Sequence, residues 1–347
     1  LKGGDPFVFD QYLAQTPTAV NAYGDDAASQ RALAKVLLGE QPFKGRSPVR
    51  LGPGAARAAD AEACKTIRMS DPGWTDITST NAILGNLLAP LGYEQDVDSL
   101  AVPVTFEALK NAQIDAFLGN WMPAQAARVD PMAAAGDVVV LNENLTGIRF
   151  TMAVPNYVAD AGVKSMADVA ANADKFDHEV YGIESGSAAN QNIQKMIDDP
   201  KYGLTGWDLV ESSEQAMLAQ VDRAARNGKW ILFLAWEPHP MNVKFPLTYL
   251  AGADEFFGKL GSTTVRTVTR KNFAEDCPNL GRLLQQLTFD VDTENRIMGA
   301  ILDEGEDALP AAKADLKAHP EKLDAWLAGV TTIDGADGAP VVKSALG

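Results

Sequence analysis

The sequence predicts an α/β protein built as two side-by-side units with a ligand crevice between them. Three observations point there. Short apolar runs alternate with helix-period runs across short loops, the pattern of βαβ units with parallel strands. That alternation occurs in two successive blocks, and 347 residues are enough for two domains. Trp74, Trp121 and Trp236 each fall at the carboxyl end of a predicted strand, where open α/β sheets take up ligands.

Taken in order, residues 1–63 differ from the rest and are expected to be an N-terminal extension or linker. PFVFDQYLAQ and SQRALAKVLLGEQ carry short helical patterns, and GRSPVRLGPGAARAADA reads as a linker. From Cys64 onward the pattern is regular. KTIRMS is a strand and DPGW a turn. ITSTNAILGNLLAPLGY is a helix, with Asp76 or Thr78 as N-cap and Gly92 as its end. VDSLAVPV is a strand, TFEALKNAQI a helix and DAFLGNW a strand. In the second block FTMAVP, EVYGIES, DLVESS and WILFLAW are strands, with NQNIQKMIDD and EQAMLAQVDRAARN as the helices between them. After WEPHP come the strands TYLAG and TTVRTVTR. Three helices close the chain: NLGRLLQQLTF, ENRIMGAILDEG and ALPAAKADLKAHPEKLDAWLAG.

Composition removes several function classes. Hydrophobic residues make up 46% and charged residues 22% of the chain, as in globular proteins. A net charge of −16 argues against nucleic acid and anionic membrane surfaces as partners. No apolar run reaches the length of a membrane-spanning helix. The stretch AARAADAEAC has the small residues of a cleavage site, but no hydrophobic region precedes it, so no signal peptide is read here. The three histidines show no metal spacing, and HExxH, GxSxG and GxxxxGK[ST] are absent, so no metal or cofactor is expected. DGADG, residues 334–338, reads as a surface turn.

The two cysteines, Cys64 and Cys277, admit two readings: a pair of buried thiols, or one long-range disulfide made in an oxidising compartment. Their places at element edges, with no other cysteine present, favour the bridge. Closing so long a loop stabilises by roughly 4–5 kcal/mol in the chain-entropy picture.

A single tryptophan usually packs in a core, and Trp207, Trp230 and Trp326 are assigned there. Trp74, Trp121 and Trp236 form a set instead. Aromatic faces arranged as a cage suit a methylated onium head group, which has no N–H to donate, at about 0.5–2 kcal/mol per face. Asp76 fits a helix cap, a negative charge beside a bound cation, or both. Glu237 reads as a structural or hinge carboxylate.

Four blocks, SDPGWTDI, VPVTFEALKNAQIDAFLGNWMP, VESSEQAMLAQVDRA and FLAWEPHPMN, resemble the periplasmic choline-binding proteins of ABC importers, within the wider glycine betaine/proline betaine substrate-binding group. The resemblance runs from about Cys64 to the C-terminus. It implies a two-lobed type II periplasmic binding protein fold with a hinge and a ligand cleft. Lobe 1 would hold residues 64–148 and 241–347, and lobe 2 residues 149–240. It implies an aromatic box in which Trp74, Trp121 and Trp236 are three walls, Asp76 as the acidic residue of the box, and a Cys64–Cys277 bridge. Two positions depart from the family pattern. Phe150 stands where a tyrosine forms the fourth wall. Ser187, with Ser185 before it, stands where the family has asparagine after a Glu-Pro-Gly turn.

The implied function is capture of a small methylated onium osmolyte for an ABC permease in the inner membrane, by a periplasmic monomer without cofactor or catalysis. Choline-like ligands come first. Glycine betaine, dimethylsulfoniopropionate and trimethylamine N-oxide share the head group. The rival is an α/β enzyme acting in the same crevice, with Asp76, Glu184, Glu237 or His239 as acid and base.

Overall fold

The protein is described as a computed structural model over residues 63–347; residues 1–62 of the expected extension lie outside the described residues. Strand β1 (Thr66–Asp71) feeds helix α1 (Thr75–Leu91), which returns the chain to β2 (Glu94–Ser99), parallel to β1. Helix α1 forms because Ile77, Ile83, Leu84, Leu87, Leu88 and Leu91 recur at helical spacing and are all buried. It stops at Gly92, whose φ of 88° suits a residue without Cβ and whose N–H bonds back to the Ala89 carbonyl.

Helix α2 (Val102–Lys110), strand β3 (Ala116–Met122), helix α3 (Ala126–Ala134) and strand β4 (Val138–Ile148) follow. With β10 (Thr263–Arg270) they complete a five-stranded sheet in the order β2-β1-β3-β10-β4. Asp115 ties three of its strands together. Its carboxylate accepts from Arg68 Nε and Nη2, both at 2.9 Å, and from Arg270 Nε at 2.8 Å.

A second five-stranded sheet takes β5 (Phe150–Pro155), β6 (Glu179–Tyr181), β7 (Asp208–Val210), β8 (Leu232–Trp236) and β9 (Leu247–Tyr249) in the order β7-β6-β8-β5-β9. Helices α4 (Ala188–Asp198) and α5 (Glu214–Arg226) connect its parallel strands. The closing helices are α6 (Pro278–Gln286), α7 (Val291–Leu302), α8 (Ala308–Ala318) and α9 (Gly338–Leu346). The last three pack on α1. Two sheets, each with its own helices, make the two-lobed architecture that the resemblance implied.

Several expectations need correction. The sheets are mixed, not purely parallel: β10 runs antiparallel to β3 and β4, and β5 to β8 and β9. Strand β4 was not expected, since its buried positions follow no period of two. VDSLAVPV is not one strand. It ends at Ser99, and Val102-Pro103-Val104 open α2, where proline's fixed φ suits the first turn. The long C-terminal helix breaks after Ala318, where Pro320 starts a separate 3-10 turn. Strand β9 pairs with β5, so the chain stays with the second sheet to Tyr249, beyond the expected return after residue 240. The two cysteines are joined in a disulfide and neither is free. Among the described residues no helix is long and apolar enough to cross a membrane.

Candidate functional site

The turn after β1 builds the first wall. Asp71 accepts from the Gly73 N–H at 2.7 Å, and Gly73, at φ 90°, turns the backbone where other residues are strained. Trp74 follows as the N-cap of α1. Its indole cannot cap a helix, and α1 has no side-chain cap of its own. The expectation that Asp76 or Thr78 caps α1 is therefore wrong: the helix begins at Thr75, ahead of both.

Asp76 lies in the first turn of α1 and faces β3. This approach needs Gly119, where an added Cβ would come within 2.7 Å of Ile77. Trp121, near the end of β3, donates its Nε1–H to Asp76 Oδ2 at 3.1 Å. From the other sheet come Phe150 and Trp236. They are direct cross-strand partners at the ends of β5 and β8, so register alone sets the two rings side by side. The Trp121 and Phe150 ring centroids lie 5.1 Å apart across the two halves.

These five residues line one cavity, together with Ala124, Gln125, Ile183, Ala188 and Ala189. Trp74, Trp121, Phe150, Trp236 and Asp76 are all buried. Sequence reasoning missed the other five, because an alanine, an isoleucine or a glutamine carries no pattern that marks it as a wall. Ser185 and Ser187 do not line the cavity. Ser185 is exposed, and the Ser187 hydroxyl accepts from the Asn190 N–H at 3.2 Å as the N-cap of α4. Of the tryptophans assigned to cores, Trp207 and Trp326 are buried; Trp230 is half-buried, with Phe176 against its ring and Lys175 over it.

Hydrogen bonding makes the cavity poor in free donors. Trp121 gives its N–H to Asp76, and Trp74 gives its N–H to Glu184 Oε2 at 2.9 Å. Gln125 spends its amide on the Gly119 carbonyl, 3.1 Å away. Beside the cavity, Glu184 Oε1 is buried with no hydrogen-bond partner among the described residues. Burial, and next the charge of Glu214, push the Asp76 carboxyl well above the ordinary carboxylate range, against a smaller opposing pull from the Trp121 N–H. Such a pocket of ring faces and acidic oxygens lowers the free energy of a desolvated cation.

Glu237 and His239 stand behind the box. Arg149, the single residue between β4 and β5, clamps the Glu237 carboxylate with two hydrogen bonds. His239 lies 5.0 Å from the Trp236 ring and contacts Glu214.

A cleft between two α/β halves, walled by aromatic rings from both, defines a two-lobed binding protein of the type II periplasmic class. Within that class, this chain belongs to the family described as the substrate binding domain of ABC-type glycine betaine transport system, whose pattern matches residues 65–318. An ABC-transporter choline-binding protein in complex with choline is 49% identical, over 82% of this chain and 99% of that one, with a TM-score of 0.80. An ABC-transporter choline-binding protein in an unliganded semi-closed conformation gives the same identity and coverage and a TM-score of 0.75. The glycine betaine/carnitine transport binding protein GbuC of Listeria monocytogenes is 28% identical over 162 residues, 47% of this chain and 53% of that protein.

Proposed function

We propose that this protein captures a small methylated onium compound, choline-like first, in the box of Trp74, Trp121, Phe150 and Trp236, and presents it to an ABC permease of the inner membrane. The observation that carries the reading is the convergence of four rings and the Asp76 carboxyl on one cavity, contributed by both sheets. A quaternary head has no hydrogen to donate, so ring quadrupoles and dispersion hold it where hydrogen-bonding walls would gain nothing. Among the described residues Asp76 is the single titratable residue that lines the cavity, which supports binding without chemistry over acid–base catalysis. The disulfide fits an oxidising compartment and, with the family, supports the periplasm. The halves, bounded near residues 149 and 250, close on the ligand and open to release it.

The sparse free donors and the Asp76 carboxyl favour a tail that donates a hydrogen bond over a carboxylate tail. Isothermal titration with choline, glycine betaine, dimethylsulfoniopropionate and trimethylamine N-oxide tests both parts. Choline is expected to bind most tightly. No heat from any of the four at sub-millimolar concentration removes the onium reading, and tighter binding of a betaine reverses the tail assignment.

A further inference from the structure

Helix α1 starts without a cap of its own. The missing cap comes from the other half of the molecule, 139 residues away in sequence. Glu214, the first residue of α5, accepts from the Thr75 N–H at 2.9 Å through Oε2 and from the Thr75 hydroxyl at 2.5 Å through Oε1. A carboxylate against the first N–H of a 17-residue helix also meets the positive end of its dipole. The contact is dry: Glu214 is 1% exposed and Thr75 4%.

His239 completes the arrangement. The Met241 N–H donates to His239 Nδ1 at 2.9 Å, so that nitrogen carries no proton. The proton sits on Nε2, which donates to Glu214 Oε1 at 3.2 Å. The contact is thus a neutral-histidine hydrogen bond that fixes the carboxylate, with no ion pair needed. One residue earlier, Glu184 holds the Trp74 indole N–H. Two acidic side chains from the second half therefore grip consecutive residues of the first, at the point where Trp74 and Asp76 enter the cavity.

We propose that Glu214 is a closure latch: it caps α1 across the cleft only when the halves meet, and so positions Trp74 and Asp76 against Phe150 and Trp236. It is a positioning residue; it lies outside the cavity lining. Opening leaves the helix end and the carboxylate to water, so the latch adds its stabilisation to the closed state alone, which shifts the population toward it. The ligand arm of the test rests on the binding function proposed above.

The experiment uses the whole chain, with choline release timed by stopped-flow tryptophan fluorescence and ligand-free dimensions read by small-angle X-ray scattering. Glu214→Gln keeps the size but replaces an acceptor-only group with one that also donates. It is expected to speed choline release about tenfold, with association changed less than about twofold. Its ligand-free radius of gyration is expected to rise. Thr75→Val, which deletes the hydroxyl bond alone, is expected to release about threefold faster, and Thr75→Ser to restore the original rate. Release from Glu214→Gln at the unsubstituted rate, or Thr75→Ser as fast as Thr75→Val, overturns the latch. Should the unsubstituted protein take up no choline or other methylated onium, the binding function fails instead. The scattering arm then decides the latch alone, and equal ligand-free radii for the two proteins overturn it.

Discussion

At the scale of single residues, Trp236 and Asp76 hold opposite sides of the same problem. Trp236 supplies a ring face and Asp76 a charge. Trp236→Ala removes packing and a cation–π face together and is expected to weaken choline binding at least about a hundredfold, roughly 3 kcal/mol. Titration calorimetry checks this, and a loss of less than about tenfold means the ring is not a wall of the ligand's site. Asp76 adds a pH dependence. Burial and the charges of Glu214 and Asp71 raise its pKa, and Glu294, itself raised well above the usual range by burial and then by Asp76, lies near enough to interact. A carboxyl raised in the folded state stabilises the fold at low pH, and that contribution fades as pH rises through the folded value. A bound cation reverses the balance by favouring the ionised form. Choline binding is therefore expected to expel a proton, and affinity to rise with pH above the ordinary carboxylate value of about 4. Titrations at about pH 5–6, above the ordinary carboxylate value, in buffers of different ionisation heat measure the proton directly. Identical heats in all buffers exclude the linkage.

At the scale of elements, two residues separate structural work from ligand work. Ser187 was expected at the ligand, yet its hydroxyl caps α4. Ser187→Ala should lower stability by about 1 kcal/mol in a denaturant titration and leave choline affinity nearly unchanged; an unchanged midpoint with much weaker binding would return Ser187 to the site. Asp115 works on the first sheet. Burial pushes its carboxyl up, but hydrogen bonds from Arg68 and Arg270 outweigh that and hold it below the usual range. Its contribution is present above the ordinary carboxylate pKa and lost as pH falls through the folded value. Asp115→Asn is expected to destabilise by about 2–3 kcal/mol, reduced from a fully buried pair because Arg68 is partly exposed. The deficit should shrink as the pH is lowered, and thermal unfolding at about pH 7 and about pH 3, above and below the ordinary carboxylate value, checks both points.

At the scale of the whole molecule, the box exists only where the halves meet. Arg149 stands alone between β4 and β5 and is clamped to Glu237, so the first crossover is short and held from one side. Adding choline to the unsubstituted protein is expected to lower its radius of gyration in small-angle scattering, because closure brings Trp74 and Trp121 onto Phe150 and Trp236. An unchanged radius under saturating ligand indicates a site that fills without domain motion.

By itself the sequence determined the alternation of elements and the aromatic set. Apolar runs of the right period bury themselves in one way, and large indoles at strand ends are conspicuous against the turn residues expected there. Trp74, Trp121 and Trp236 were legible for that reason, Asp76 from its place beside Trp74 and Phe150 through the family resemblance, and all five line one cavity. Tertiary structure decided the rest. Strand β4 has no buried alternation and forms because β10 pairs with it. The alanines of the cavity wall matter only as space. The Ser187 hydroxyl is turned to a backbone N–H within its own helix, a choice between partners that its residue type leaves open. Glu214 meets Thr75 across 139 residues, and no local pattern encodes a hydrogen bond whose two ends are brought together only by the folding of two separate sheets.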